Sequence, residues 1–161
     1  MSQVTRIPFI PYRLFFLYIE PTSALAGAWY ASFRPQDYLR DLSSSGTPWI
    51  PTAGDLSTQT TMTLLQLANL YLLFATNEYC VLSSTNDVVI WRSLLFGLLV
   101  ADFGHLITMA PLGGEVFWKF WDWNAMKWGS VGFVYLGATL RICFLAGIGL
   151  KRAQEEEKKR D

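Results

Sequence analysis

The sequence predicts an all-α integral membrane protein, a bundle of four transmembrane helices within one domain of 161 residues. Composition is the first observation behind this prediction, because 52% of the residues are hydrophobic and mean hydropathy is positive. The second is that four segments are long enough to cross about 30 Å of hydrocarbon, which takes about 20 helical residues. The third is the uneven charge distribution, since much of the charge lies in the C-terminal tail.

The four predicted spans are separated by connections of different character. The spans cover residues 11–33, 58–82, 88–109 and 128–150. A connection rich in Pro, Ser and Gly, 34–57, follows the first span, and a tight polar turn, 83–87, follows the second. An aromatic segment, 110–127, precedes the fourth span, and a charged tail, 151–161, ends the sequence.

Both termini are predicted to face the cytosol. An even number of spans places both ends on one side, and basic residues are slightly enriched on that side. They are Arg6, Arg13, Arg92, Lys151 and Arg152, against Arg34, Arg40, Lys119 and Lys127 on the other side. Lys158 and Lys159 resemble the dilysine retrieval signal of endoplasmic-reticulum membrane proteins, which works from the cytosol. We therefore expect a multi-pass protein of that membrane, with a solvated charged tail as the alternative interpretation of these lysines.

The first span has a narrow face on which an acidic residue lies. Ser23, Gly27 and Ala31 are spaced four residues apart, as in closely packed membrane helices. Glu20 shares this face, so its side chain is expected to point into the bundle. Pro21 removes a backbone donor and is expected to kink the helix beside that carboxyl group.

Further ionisable residues lie at membrane depth, where each needs a partner, a water-filled cavity or a function. At about 1.5 Å per residue, Arg141 of the fourth span lies level with Glu20, so an ion pair is predicted. Whether Arg141 is a counter-ion or a substrate contact stays open. Asp102 and His105 of the third span are three residues apart, so the carboxylate could fix the tautomer of the imidazole.

Other polar residues have interpretations that require no catalytic role. Gln66 and Asn69 of the second span lie level with Asp102 and could orient it through their amides, although such residues also serve as links between helices. For Glu78 and Arg92 we expect side chains that reach the cytosolic interface. The aromatic segment fits an interfacial belt better than a substrate-stacking platform, for which Trp123 and Asn124 would be the substrate contacts.

The inward-facing acids indicate general acid–base chemistry without a cofactor. Glu20, Asp102 and His105 are the candidate catalytic residues, because a carboxyl group removed from water can hold a proton near neutral pH. We expect no metal site, since these three ligands match no motif, and no haem, flavin or nucleotide motif is present. Cys80 and Cys143 are read as free thiols. Zero net charge gives no sign of nucleic-acid binding.

Several stretches together resemble a family of small fungal membrane proteins. They are residues 13–28 with Glu20 and Pro21, residues 65–71 with Gln66 and Asn69, residues 101–105 with Asp102 and His105, and the Trp-rich segment before Arg141. Some proteins of this kind resemble the hydrolases encoded in polyketide clusters for aurovertin, citreoviridin and asteltoxin. The resemblance implies opening of polyepoxides to cyclic ethers. Glu20, Asp102 and His105 would then form the acid–base group, supported by Asn69 and Arg141.

Three functional hypotheses follow. The first is a membrane enzyme that hydrolyses or cyclises an epoxide of a lipophilic polyketide or terpenoid. The second is a sterol or lipid isomerase, or a lipid-binding protein, whose carboxylates hold a cationic or carbocation-like ligand. The third is a non-enzymatic scaffold in which the pair of Glu20 and Arg141 sets helix register. The expected partners are a lipophilic small molecule and membrane lipids, and homo-oligomer formation stays open.

Overall fold

The computed structural model describes residues 10–43 and 56–150, and the regular elements in these stretches are all helical. The predicted all-α class is therefore confirmed. The charged tail with Lys158 and Lys159 and residues 44–55, half of the 34–57 connection, lie outside the described residues.

Five helices account for most of the described residues. Helix α1, residues 10–33, comprises Ile10–Leu14, a π-helical turn at Phe15–Ile19, and Glu20–Phe33. Helix α2 is Pro35–Leu42, α3 is Thr58–Ser84, and α4 is Val88–Thr108. Helix α5, residues 125–145, comprises Ala125–Lys127, a π-helical turn at Trp128–Gly132, and Phe133–Leu145. Short 3-10 turns between α4 and α5 lie at Ala110–Leu112, Gly114–Phe117 and Phe120–Asp122.

Side-chain caps explain where several helices begin. The hydroxyl of Ser57 accepts the N–H of Thr60 before α3, and the carboxylate of Asp87 accepts the N–H of Val89 before α4. Asn124 caps α5 by accepting the N–H of Lys127, so this helix begins before the predicted residue 128. It ends at Leu145, before the predicted residue 150, and the turn that follows contains Gly147 at φ 78°.

Helix α2 was not predicted, because the whole 34–57 connection read as loop. Pro35 occupies the first turn of this helix, where its missing N–H costs nothing, and Asp37 adds a favourable negative charge there. The buried ring of Tyr38 packs against α1 and α3, so tertiary contact stabilises a helix too short to form alone.

The long helices pack mainly as two pairs, α1 with α3 and α4 with α5. Small residues allow the first pair to approach closely: Ala31 and Ala68 are buried, and a Cβ at Gly27 would lie 3.4 Å from the Tyr71 ring. The predicted narrow face of the first span is thus a packing face, and its partner is α3.

Three apolar clusters hold these pairs together. At the end of the molecule where α1 begins, one cluster joins all four long helices and includes Tyr12, Phe16, Leu82, Trp91 and Phe144. At the opposite end the core divides. One cluster joins α1, α2 and α3, and the other joins the end of α4 to the start of α5 through Met109, Val116 and Val131. Leu42 of α2 packs against both.

Two helical segments are long and apolar enough to cross a membrane: Val88–Leu112, 25 residues, and Ala125–Leu145, 21 residues. Only 17% and 33% of their most apolar windows are buried, whereas a core helix of a soluble protein would be mostly buried. The remaining long helices, α1 and α3, do not combine the length and the apolar composition that a membrane span requires. Length and composition therefore indicate membrane association for two of the four predicted spans.

Candidate functional site

Arg141 lies at the centre of a buried group of charged side chains. Its Nη1 donates to Oδ2 of Asp102 at 2.6 Å, and its Nη2 donates to Oε1 of Glu20 at 2.7 Å. Nη2 also lies 3.5 Å from Oε1 of Glu78, which is an ion-pair contact rather than a good hydrogen bond. We call these four residues the ion cluster; one comes from each long helix, α1, α3, α4 and α5.

The ion cluster is almost completely removed from solvent. Arg141 and Glu78 are 0% exposed, Glu20 is 5% exposed and Asp102 is 6% exposed. Only Glu20 and Asp102 could therefore touch a ligand without a rearrangement. The predicted ion pair between Glu20 and Arg141 is confirmed. Arg141 acts as a counter-ion to Glu20 and Asp102 in this structure.

The backbone before Glu20 departs from α-helical geometry. The N–H of Glu20 donates to the carbonyl of Phe15, five residues earlier, and the wide turn Phe15–Ile19 ends there. Pro21 follows directly and supplies no N–H, so a wider turn lets the chain stay helical past the proline. The sequence predicts a kink beside Glu20, and the irregularity that the structure has there is a π-helical turn. Such turns occur often at functional sites.

Gly137 makes room for the ion cluster from α5. It lies one helical turn before Arg141. A Cβ built on it would lie 2.9 Å from Nη1 of Arg141 and 3.2 Å from Oε1 of Glu20. Both distances are shorter than ordinary van der Waals contact, so a side chain at this position would displace the guanidinium or the carboxylate.

The buried position of Glu78 corrects the prediction that it reaches the membrane interface. Its side chain faces the interior of the molecule between α1 and α5 rather than an aqueous boundary. A signal for this was present in the sequence. The buried residues of α3 are Leu64, Ala68, Ala75 and Leu82 with Glu78, at the three- and four-residue spacing of one helix face.

Several buried polar atoms of the ion cluster have no hydrogen-bond donor or acceptor: Oε2 of Glu20, both carboxyl oxygens of Glu78, and Nε of Arg141. The carboxyl groups of Glu20 and Glu78 are neighbours, because Oε1 of each lies close to the same nitrogen, Nη2 of Arg141, at 2.7 and 3.5 Å. Two ionised carboxylates have no hydrogen to share, so this contact becomes a hydrogen bond only when one of them carries a proton. The geometry thus calls for at least one proton on the pair.

Charge counting leads to the same conclusion. Three carboxyl groups surround a single guanidinium, so complete ionisation would leave two uncompensated negative charges in a buried site. Rings of Phe16 and Phe74 lie 5.5 and 5.9 Å from the guanidinium carbon, which adds negative electrostatic potential around Arg141. With one proton on the pair of Glu20 and Glu78, the ion cluster still carries a net charge of −1.

His105 lies one helical turn after Asp102 on α4 but has a different partner from the one predicted. Its Nε2 lies 2.9 Å from the backbone carbonyl of Ser130 on α5. A carbonyl only accepts, so Nε2 carries the hydrogen and Nδ1 of the neutral ring is the free acceptor. Because Asp102 is occupied by Arg141, the carbonyl of Ser130, and not the carboxylate, fixes the tautomer.

Four predicted substrate contacts are not brought to the ion cluster. Gln66 and Asn69 are exposed on the outer face of α3, so they do not orient Asp102. Asn124 precedes Arg141 by about 25 Å of helix at 1.5 Å per residue and is used as a cap, while its Nδ2 donates to the carbonyl of Asp41. Trp123 donates through Nε1 to the carbonyl of Val116 and packs edge-on against Trp128.

The described part of the chain contains no group of three or more His, Cys, Asp or Glu side chains arranged to hold a metal ion. In the ion cluster the guanidinium occupies the centre that a cation would need. What the arrangement can do is donate and accept protons in a site nearly free of water.

These features define a helical protein with long, largely exposed apolar helices and an arginine shared among buried carboxyl groups. The chain belongs to the family of the domain of unknown function DUF7704, which matches residues 4–151. That range contains all five helices and every member of the ion cluster. No curated protein and no solved structure matches the chain.

Proposed function

We propose that the chain is a four-span protein of the endoplasmic-reticulum membrane with both termini in the cytosol. Two segments already have the length and composition of spans, and α1 and α3 are as long as the membrane requires. Many large apolar side chains of α1 and α3 are exposed, which suits lipid better than water; they include Phe33, Leu65, Leu70, Leu72 and Leu73. The weak basic bias and the dilysine tail support the orientation.

Within that membrane we propose a cofactor-independent enzyme that opens epoxides of a lipophilic polyketide or terpenoid, by hydrolysis or by cyclisation to cyclic ethers. One observation carries the proposal: three buried carboxyl groups surround one guanidinium, an arrangement that favours a proton on the pair of Glu20 and Glu78 and an ionised Asp102. General acid and general base are therefore present together in a dry site. The resemblance to polyketide-cluster hydrolases supplies the substrate class.

The reaction uses the two members of the ion cluster that are slightly exposed. Glu20 donates a proton to the epoxide oxygen as the carbon–oxygen bond breaks. Asp102 removes a proton from water, or from a hydroxyl of the substrate, as that oxygen attacks the carbon. The proton gained by Asp102 balances the one lost by Glu20, and its return completes the cycle. The residual charge of −1 favours positive charge that develops on the opening carbon.

The direct test is turnover of a lipophilic bis-epoxide by microsomes that contain the wild-type chain. Glu20→Gln and Asp102→Asn remove the donor and the acceptor while keeping side-chain shape, and each should lower turnover by about 10²-fold or more. Glu115→Gln is the matched control, because Glu115 lies on the segment after α4, is exposed and pairs with Lys119 rather than with the ion cluster. Unchanged turnover in both cluster variants would refute the proposal, and sterol isomerisation in the same microsomes would favour the isomerase hypothesis.

A structural role is the second candidate, and the full burial of Arg141 and Glu78 favours it. An arginine that links four helices can fix their register, whether or not any substrate binds. This hypothesis predicts that Glu20→Gln and Arg141→Gln misfold singly, and that exchanging the two charged residues restores the fold. Folded, inactive single variants would favour the enzyme.

A further inference from the structure

We propose that Glu78 holds the proton of the ion cluster at rest and passes it to Glu20. This inference rests on the proposed acid–base function for its purpose, but the position of the proton is a separate statement. It concerns the carboxyl group of the cluster that is completely buried and lies farthest from the guanidinium.

Distances to Arg141 distinguish the three carboxyl groups. Asp102 and Glu20 each accept a hydrogen bond from the guanidinium, at 2.6 and 2.7 Å, and such short charge-assisted bonds favour the ionised forms. Glu78 lies 3.5 Å away, beyond hydrogen-bonding distance, so it gains least from the positive charge. A single proton shared by the cluster therefore belongs on Glu78.

The unpartnered atoms fit this assignment. Neither oxygen of Glu78 receives a hydrogen bond, and Oε2 of Glu20 receives none either. A hydroxyl on Glu78 that donates to Oε2 of Glu20 gives a partner to one atom of each residue. Glu20 would then accept from Arg141 at one oxygen and from Glu78 at the other. A proton on Asp102 would leave all three of these glutamate atoms unpartnered.

The same geometry provides a path for the proton. When Glu20 gives its proton to a substrate oxygen, the proton that it releases has come from Glu78 through their shared contact. Glu78 is then a carboxylate, and the guanidinium 3.5 Å away compensates its charge. Asp102 collects the proton released by the attacking oxygen, and the resting state is restored when Asp102 loses this proton and the pair of Glu20 and Glu78 regains one, so that protons balance over the cycle. Because Glu78 acts through Glu20, it is a positioning and relay residue.

Infrared spectroscopy of the purified full-length chain in detergent micelles tests the position of the proton without any substrate. A protonated carboxyl group absorbs at a frequency distinct from that of a carboxylate, and the band shifts in heavy water. We expect this band in the wild type and in Asp102→Asn, and its loss in Glu78→Gln. The amide introduced by Glu78→Gln can still donate to Glu20, so the fold should persist.

Three outcomes decide the matter. Loss of the band in Glu78→Gln with retention in Asp102→Asn supports the assignment, whereas a band that persists in Glu78→Gln overturns it. Where Glu78→Gln does not fold, Glu78→Asp serves instead: its shorter acid should move the band, and an unmoved band overturns the assignment.

Turnover of the bis-epoxide should fall at least about tenfold in Glu78→Gln. Absence of turnover in the wild type would remove the enzyme proposal and leave the infrared result standing.

Discussion

The guanidinium of Arg141 donates to the carboxylate of Glu20 across 121 positions of sequence, at 2.7 Å, with the arginine completely buried. This contact joins the helix pair α1 and α3 to the pair α4 and α5. Beyond it, toward the C-terminal end of α1, the common apolar core gives way to two smaller clusters that meet at Leu42 of α2. Stability and the proposed chemistry therefore depend on the same four side chains.

Removal of Arg141 should be among the most damaging single changes. Arg141→Met leaves three carboxyl groups buried without a counter-ion, and the free energy of unfolding should fall by about 3–5 kcal/mol. Thermal unfolding in detergent micelles measures the loss. Arg40→Met, at an exposed arginine that pairs with Asp37 on α2, is the control and should cost less than about 1 kcal/mol.

A rescue experiment separates loss of charge balance from loss of packing. Glu20→Gln and Asp102→Asn added to Arg141→Met remove two of the orphaned acids, so the triple variant should unfold at a higher temperature than Arg141→Met alone. An additive loss from each of the three changes would contradict the electrostatic account.

How much of the site the sequence could reveal depends on what a helix fixes. Rise per residue is constant, so counting along two spans placed Glu20 level with Arg141, and the ion pair followed. Depth says nothing about rotation around the helix axis. Gln66 and Asn69 have the right depth for Asp102 but face outward on α3. The depth of Glu78 suggests that it reaches the interface, whereas its spacing from Ala75 and Leu82 places it on the buried face of α3.

His105 illustrates a second limit. Its spacing from Asp102 put both residues on one face of α4, which suggested that they bond to each other. The actual partner is a backbone carbonyl of α5, and backbone groups carry no signal in the sequence. Likewise, helix α2 depends on the packing of Tyr38 against α1 and α3, which the loop-like composition of its surroundings concealed.

Nuclear magnetic resonance can examine His105 directly, because it is the only histidine of the sequence. Nitrogen-15 spectra should show the tautomer protonated at Nε2, since this nitrogen donates to the carbonyl of Ser130. The pattern should stay the same in Asp102→Asn. A hydrogen on Nδ1, or a change of tautomer in that variant, would restore the predicted bond between Asp102 and His105.

The outward positions of Gln66 and Asn69 lead to a prediction of tolerance. Gln66→Leu and Asn69→Leu should leave both turnover and thermal unfolding close to the wild type, because neither amide contacts the ion cluster and leucine suits a lipid-facing surface. Microsomal assays of the single variants provide the check. Loss of turnover comparable to that of Glu20→Gln would return these residues to the site.

Membrane orientation can be tested with glycan acceptors, since N-glycosylation takes place in the lumen. A flexible linker with an Asn-X-Ser acceptor should be modified when inserted between Gly113 and Gly114, and should remain unmodified when appended after Asp161. The mass of the protein before and after glycosidase treatment gives the result. Modification of the tail alone would reverse the proposed orientation, and modification of neither would leave the segment after α4 outside the lumen.

Gly137 offers the most localised test of the ion cluster. Gly137→Ala adds one methyl group, whose carbon would lie 2.9 Å from Nη1 of Arg141, so the guanidinium must shift away from Asp102 or Glu20. We expect a loss of about 1–3 kcal/mol in the free energy of unfolding, together with a weaker epoxide turnover. Gly104→Ala on α4 is the matched control, because nothing lies within 4 Å of a Cβ at that position, and the better helix propensity of alanine should leave stability unchanged or raise it by up to about 1 kcal/mol. Equal effects of the two substitutions would mean that Gly137 has no special relation to the ion cluster, and that the contact between Arg141 and Glu20 tolerates more displacement than its distances imply.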